Sequence, residues 1–200
     1  MNRAVPAKAL LWALLCVPAL PILYRALAEA DLWWEDLLHP TGEWSARFLI
    51  VALMLTPLSM LFPKSGAVRW LVRHRRAFGV AAFAYAALHL LFYVLAMGNV
   101  ANMLAELGAL GIWTGWLAFL CFVPMALTSN DAAIRWLKRA WKKVQRLAYP
   151  AAVLTLVHWI AVHDGFTAAL LTFAPLVALQ IYRLARLARA KHFTQRRPTS

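Results

Sequence analysis

Residues 77–97, AFGVAAFAYAALHLLFYVLAM, form an apolar run with no charged side chain and a single histidine, His89. About 20 apolar residues rising 1.5 Å each cover the hydrocarbon core of a bilayer, so this run predicts a transmembrane helix. Working outward, five more apolar runs follow the same pattern, at 10–28, 48–62, 109–128, 147–162 and 166–182. Those at 48–62 and 147–162 are short. Arg47 and Arg146 at their edges extend them by laying their stems along apolar surface and lifting their charged heads to the interface. The chain has 200 residues, 63% of them hydrophobic and 14% charged, too apolar for a soluble domain. The expected architecture is all-α: one transmembrane domain over 1–200, six helices and a basic tail at 183–200.

Charge placement orients the bundle. Residues 64–76 carry five Lys or Arg and no acid, 135–146 carry six, and 183–197 another six. The alternating connections hold the acids: Glu29, Asp31, Glu35, Asp36 and Glu43 in the first, Glu106 in the second and Asp164 in the third. Basic loops stay in the cytoplasm, so both termini are expected inside. The net charge of +13 is then topology and contact with anionic lipid, and a nucleic-acid partner is excluded for want of a basic groove on a folded domain. Arg3 and Lys8 before the first run, with Ala26-Leu27-Ala28 before Glu29, imitate a secretory signal peptide. Pro18, Pro21 and Arg25 crowd that region and favour a retained helix. Cys16 and Cys121 both fall inside spans, which implies no disulfide framework. Trp33, Trp34 and Trp44 are expected in the outer connection, and no repeat of fixed period is visible. Residues 191–200 read as a frayed end.

Two histidines lie inside apolar spans at matched depth. His89 is 13 residues beyond Arg76 (89 − 76) and His158 is 12 beyond Arg146 (158 − 146), about 20 and 18 Å from the inner ends of their helices. An intramembrane imidazole is costly unless paired or bound. Three readings compete. Each histidine can bridge to a neighbouring helix and hold nothing. Zinc wants about four ligands, and of its kind only Cys121 is at hand. Haem needs two axial imidazoles and an apolar slot, which suits the pair best and implies electron transfer across the membrane.

Further residues carry a family resemblance: His39-Pro40-Thr41-Gly42, Leu55-Thr56-Pro57-Leu58, Arg75-Arg76 with Gly79, Ala87-Leu88-His89, Trp141, Tyr149 and His158-Trp159. In their order and spacing, over about 39–162, the chain resembles the MsrQ family, haem-binding membrane subunits within the ferric-reductase-like transmembrane superfamily. The resemblance implies a b-type cytochrome with His89 and His158 as haem-iron ligands. Electrons would come from a cytoplasmic flavin reductase or from quinol. They would leave to a periplasmic molybdopterin-dependent methionine sulfoxide reductase subunit that repairs oxidised envelope proteins. The substrate chemistry belongs to that partner. The redox alternative is a ferric reductase or another cytochrome b subunit; the non-redox alternative is a small transporter or assembly factor.

One departure from the family pattern concerns the inner level. Where a further histidine is usual before the fifth helix, this chain has Gln145, which lies 13 residues before His158 as Arg76 lies 13 before His89. That puts a second haem in doubt and leaves Arg76, Gln145 and His74 as a candidate inner-level cofactor site. A flavin mononucleotide is also associated with the family, and the inner basic clusters suit its phosphate. His163, beside Asp164, is a candidate contact for a haem propionate. His39 is expected at the outer surface.

Overall fold

A computed structural model of the chain describes residues 4–162 and 166–195, and every regular element among them is helical. In chain order these are α1 (Ala4–Cys16), α2 (Ala19–Ala28), a 3-10 turn (Trp34–Leu37), α3 (Leu38–Leu61), α4 (Gly66–Arg73) and α5 (Arg75–Met97). There follow α6 (Val100–Glu106), α7 (Leu110–Leu127), α8 (Asp131–Leu137), α9 (Arg139–Gln145), α10 (Ala148–Val162) and α11 (Phe166–Gln195).

Among the described residues, four helical stretches are long and apolar enough to cross a membrane: Trp34–Leu61, Arg75–Met97, Leu110–Leu127 and Phe166–Ala190. Ala7–Cys16 and Ala19–Ala28, bent at 44°, make a fifth when counted as one span. Helix α10 has 15 residues, about 22 Å of rise, and falls below that length.

Several expected boundaries are corrected, each for a local reason. The first run is broken at Val17-Pro18, because Pro18 has no N–H to donate to the preceding turn. The Tyr85 hydroxyl enters the break, donating to Leu15 O at 3.1 Å. The second span begins at Leu38 rather than at 48, so Trp44 lies on the helix and not in a connection. Its polar first turns are satisfied locally: the Thr41 hydroxyl donates to Leu37 O, and Glu43 pairs with Arg47 one turn on. The last helix runs on to Gln195, well past 182. Short helices between spans are capped by side chains, as Asn99 and Asn130 accept from the amides of Asn102 and Ala133 at 2.9 and 2.7 Å.

Prolines inside spans leave carbonyls without their usual donor, and in hydrocarbon that is expensive. Pro57 cannot donate to Leu53 O; the Gln180 side chain of α11 does so instead, at 3.1 Å. Helix α3 lies along α5, and α7 along α10. Small residues bring the first pair close. Ala46 and Ala82 are fully buried, and the Ser45 hydroxyl donates to Ala82 O at 2.9 Å.

The three basic stretches meet at one end of the bundle. Arg76 of α5 pairs with Asp131 of α8 at 2.7 Å, Arg183 of α11 donates to the Tyr149 hydroxyl of α10 at 2.6 Å, and Arg186 donates to Met60 O at the end of α3. The Arg76 guanidinium holds the exposed Asp131 carboxyl below the usual range, and Lys8 adds to the effect. The other end carries Glu29, Asp36 and Glu43, with Arg25 between Glu29 and Asp36 at 3.0 and 3.6 Å.

Candidate functional site

His89 of α5 and His158 of α10 face each other with ring centroids 5.9 Å apart and planes at 87°. Their matched depth in the sequence is thus a meeting in space. Each ring is seated by the helix opposite in its pair. Nδ1 of His89 bonds Leu38 O of α3 at 2.9 Å, and Nδ1 of His158 bonds Gly111 O of α7 at 2.6 Å. A carbonyl only accepts, so Nδ1 carries a proton in both rings, and Nε2 is the nitrogen through which a neutral ring would meet a metal.

The seats are built alike. In α3 a carbonyl at Leu38 is followed by Thr41 three residues on and Gly42 four on; in α7 the carbonyl at Gly111 is followed by Thr114 and Gly115 at the same offsets. The ring edges press on the glycines. A Cβ at Gly42 would lie 3.1 Å from His89 Nδ1, and one at Gly115 would lie 2.7 Å from His158 Nδ1. Both threonines are buried, and both hydroxyls donate to the same two carbonyl positions: Leu37 and Leu38 at 2.6 and 3.0 Å, Leu110 and Gly111 at 2.6 and 3.0 Å. Thus α3 and α7 seat the histidines of α5 and α10 in the same way. There is no repeat of fixed period, but Thr-Gly recurs opposite each histidine. Reading the sequence by hydropathy and histidine depth misses Thr114, Gly115 and Gly111, although the repeated dipeptide is there to be found.

Both rings line an apolar cavity of about 100 Å³, walled also by Ala86, Tyr93, Trp116, Phe119 and Phe122 among others. A metal about 2.0 Å from an imidazole nitrogen sits about 3.2 Å from that ring's centroid, so two opposed imidazoles on one ion put their centroids about 6.4 Å apart. The observed 5.9 Å is within half an ångström of that. No cluster of three or more His, Cys, Asp or Glu suited to a metal ion occurs among the described residues, which disfavours a four-ligand zinc site. Two imidazoles suffice where a porphyrin supplies the other four nitrogens. Helix bridging by itself accounts for each Nδ1 bond. It gives no reason for both rings to meet over one apolar cavity.

The other candidate residues separate into groups by position. At the basic end a cavity of about 500 Å³ is lined by Arg75, Arg76, Lys142, Gln145, Arg146 and Arg183 among others, with no acid, histidine or cysteine among its described lining residues. Gln145 donates to Met125 O and to the Thr128 hydroxyl, both at 3.1 Å, and so caps the end of α7. Five cations around one chamber suit an anionic group, and no histidine is among its described lining residues. His74 is not among its described lining residues; its Nδ1 bonds Trp70 O at 2.9 Å and its ring packs on Trp70 at 4.2 Å. His39 stands at the acidic end, 3.9 Å from Glu43. His163 lies outside the described residues.

With the paired histidines in place, the relatives are informative. Residues 41–156 match the ferric reductase like transmembrane component, a stretch that holds His89 and both Thr-Gly seats and ends two residues before His158. A protein-methionine-sulfoxide reductase heme-binding subunit MsrQ of Brucella anthropi is 34% identical over 198 residues, covering 96% of this chain and 86% of the relative. The MsrQ proteins of Brucella ovis and Brucella canis are 37% identical over 152 residues, covering 74% of this chain and 67% of each relative.

The chain belongs to the MsrQ family.

It is a multi-pass, all-helical member of the ferric-reductase-like membrane proteins. No solved structure matches it. As an MsrQ-family chain it carries both Thr-Gly seats within the stretch that defines the wider superfamily.

Proposed function

We propose that this chain is a b-type cytochrome subunit that delivers electrons to a methionine sulfoxide reductase. His89 and His158 are the axial ligands of one haem b. The observation that carries this is the pair of imidazoles, each with Nδ1 committed to a carbonyl, meeting at one apolar cavity. When bound, haem supplies reversible one-electron chemistry. The chain's own residues ligate, orient and keep water out, and the aromatic wall of Tyr93, Trp116 and Phe119 serves the last of these.

The rings are level with the first turns of α3 and α7, at the acidic end, which supports an electron exit on the periplasmic side. In this reading the protein crosses the bacterial inner membrane six times with both termini cytoplasmic, and α10 is a short sixth span. Electrons enter from a cytoplasmic flavin reductase or from quinol. They leave to a periplasmic molybdopterin-dependent subunit. The inner chamber around Arg76 and Gln145 is the entry region, and its cations suit the phosphate of an FMN. The match to the ferric reductase like component supports a second reading, an electron carrier for another acceptor.

Coupled turnover tests the function. Membranes holding both this chain and a molybdenum-cofactor methionine sulfoxide reductase should reduce protein-bound methionine sulfoxide with a quinol or NADH-flavin donor, and membranes with His158→Ala should not. Equal rates with and without this chain would refute the coupling.

A further inference from the structure

We infer that Thr41 and Thr114 are positioning residues that set the redox potential of the centre held by His89 and His158, by sharing the carbonyl oxygen that each imidazole bonds. This rests on the haem reading above. Leu38 O is met by the helical amide of Gly42, by His89 Nδ1 at 2.9 Å and, at 3.0 Å, by the longer arm of a bifurcated Thr41 hydroxyl bond whose shorter arm goes to Leu37 O at 2.6 Å. Gly111 O is likewise met by the amide of Gly115, by His158 Nδ1 at 2.6 Å and, at 3.0 Å, by the longer arm of the Thr114 hydroxyl bond whose shorter arm goes to Leu110 O at 2.6 Å. A carbonyl oxygen has two lone pairs, so each added donor weakens the others. Thr41 Oγ1 also lies 3.4 Å from His89 Nδ1 itself.

The strength of an Nδ1–H bond governs how much electron density the ring passes to a metal at Nε2. A strong acceptor makes the ring more imidazolate-like and favours the ferric state. A hydroxyl that occupies the acceptor works the other way and raises the potential. Threonine back-bonding to a preceding turn is ordinary in apolar helices and by itself sets nothing. Thr172 does it too, donating to Ala168 O at 2.8 Å on an exposed face. Thr41 and Thr114 differ in that a histidine shares their acceptor, and in that the arrangement recurs at identical offsets in α3 and α7.

The test is redox titration of purified, haem-loaded full-length protein, with low-temperature EPR of the ferric form. Thr41→Val and Thr114→Val remove the hydroxyl at constant shape; Thr41→Ser and Thr114→Ser keep it; Thr172→Val removes a back-bond remote from the rings. Each valine variant should raise the ferric-to-ferrous ratio several-fold at a fixed poise. The double variant should raise it about tenfold, a fall of about 59 mV for one electron. The g-values should shift, and the serine variants and Thr172→Val should stay near the parent. Valine variants with full haem and an unmoved or higher potential would overturn the inference while leaving the haem reading intact. So would serine variants that behave like valine, or valine variants of both sites that fold without haem, which would make the hydroxyls structural. Parent protein that is folded, supplied with haem and without a haem spectrum would instead overturn the underlying reading.

Discussion

Gly42 and Gly115 impose the tightest steric limits at the site, and the two differ in degree. A methyl group at Gly115 would lie 2.7 Å from His158 Nδ1 and 2.9 Å from Cε1; at Gly42 the distances to the same atoms of His89 are 3.1 and 3.2 Å. Gly115→Ala should therefore displace its ring and lower haem affinity about 10- to 100-fold, the range for losing a ligand's support. Gly42→Ala, where the neighbour must yield only a few tenths of an ångström, should cost only a few-fold. Haemin titration of the two apo-variants checks the order, and equal losses would mean that the glycines are not what seats the rings. At this scale the histidines were legible because an imidazole inside hydrocarbon stands out in any sequence. Their seats were not. Whether Thr114-Gly115 supports a histidine 43 residues later (158 − 115) depends on which helix packs against which, and hydropathy does not encode that.

Among the elements, α3 shows best how apolar counting and folding diverge. The hydropathic run starts at 48, whereas the helix starts at Leu38, because Thr41, Glu43 and Arg47 satisfy one another and the backbone without leaving the helix. The bend at Val17-Pro18 was signalled by proline; the tyrosine that fills it comes from α5 and is invisible locally. Pro57 and Gln180 are the same case across α3 and α11. Gln180→Leu should destabilise the bundle by about 1 kcal/mol, a magnitude typical of polar contacts between membrane helices, by leaving Leu53 O without a donor. In Pro57→Ala the regular N–H returns, and the further change Gln180→Leu should then cost distinctly less. Thermal melts of the four proteins in detergent read this as a cycle, and additive losses would show that Gln180 does not serve the proline gap.

For the whole molecule, charge asymmetry was legible in full: the basic stretches read as one side of the membrane do gather at one end, joined by Arg76–Asp131 and by Arg183–Tyr149. Depressing the Asp131 carboxyl means that the folded form holds its charge to lower pH than the unfolded one. Its contribution is complete above the ordinary carboxylate range and is lost as pH falls through the lowered value. Both groups are exposed, so the effect should be small and screened by salt. Stability of Asp131→Asn compared with the parent at pH 7 and in the acid range, at low and high salt, reads it; a larger gap in acid than at pH 7 would contradict the sign. The same charge pattern predicts that a fluorescent reporter maturing only in the cytoplasm lights up when fused to either end. The count of spans was less legible: the shortness of α10 shows in its apolar run, whereas the first run looks continuous where the helix is bent.

Ligation, exit side and partner all depend on His89 and His158 holding one haem between them. The most direct measurement is the haem-to-protein ratio with a reduced-minus-oxidised spectrum, taken on the parent and on His89→Ala, His158→Ala, His74→Ala and Gln145→Ala. One haem per chain is predicted, lost in each of the first two variants and kept in the last two. A bis-imidazole spectrum surviving in either His89→Ala or His158→Ala would contradict it.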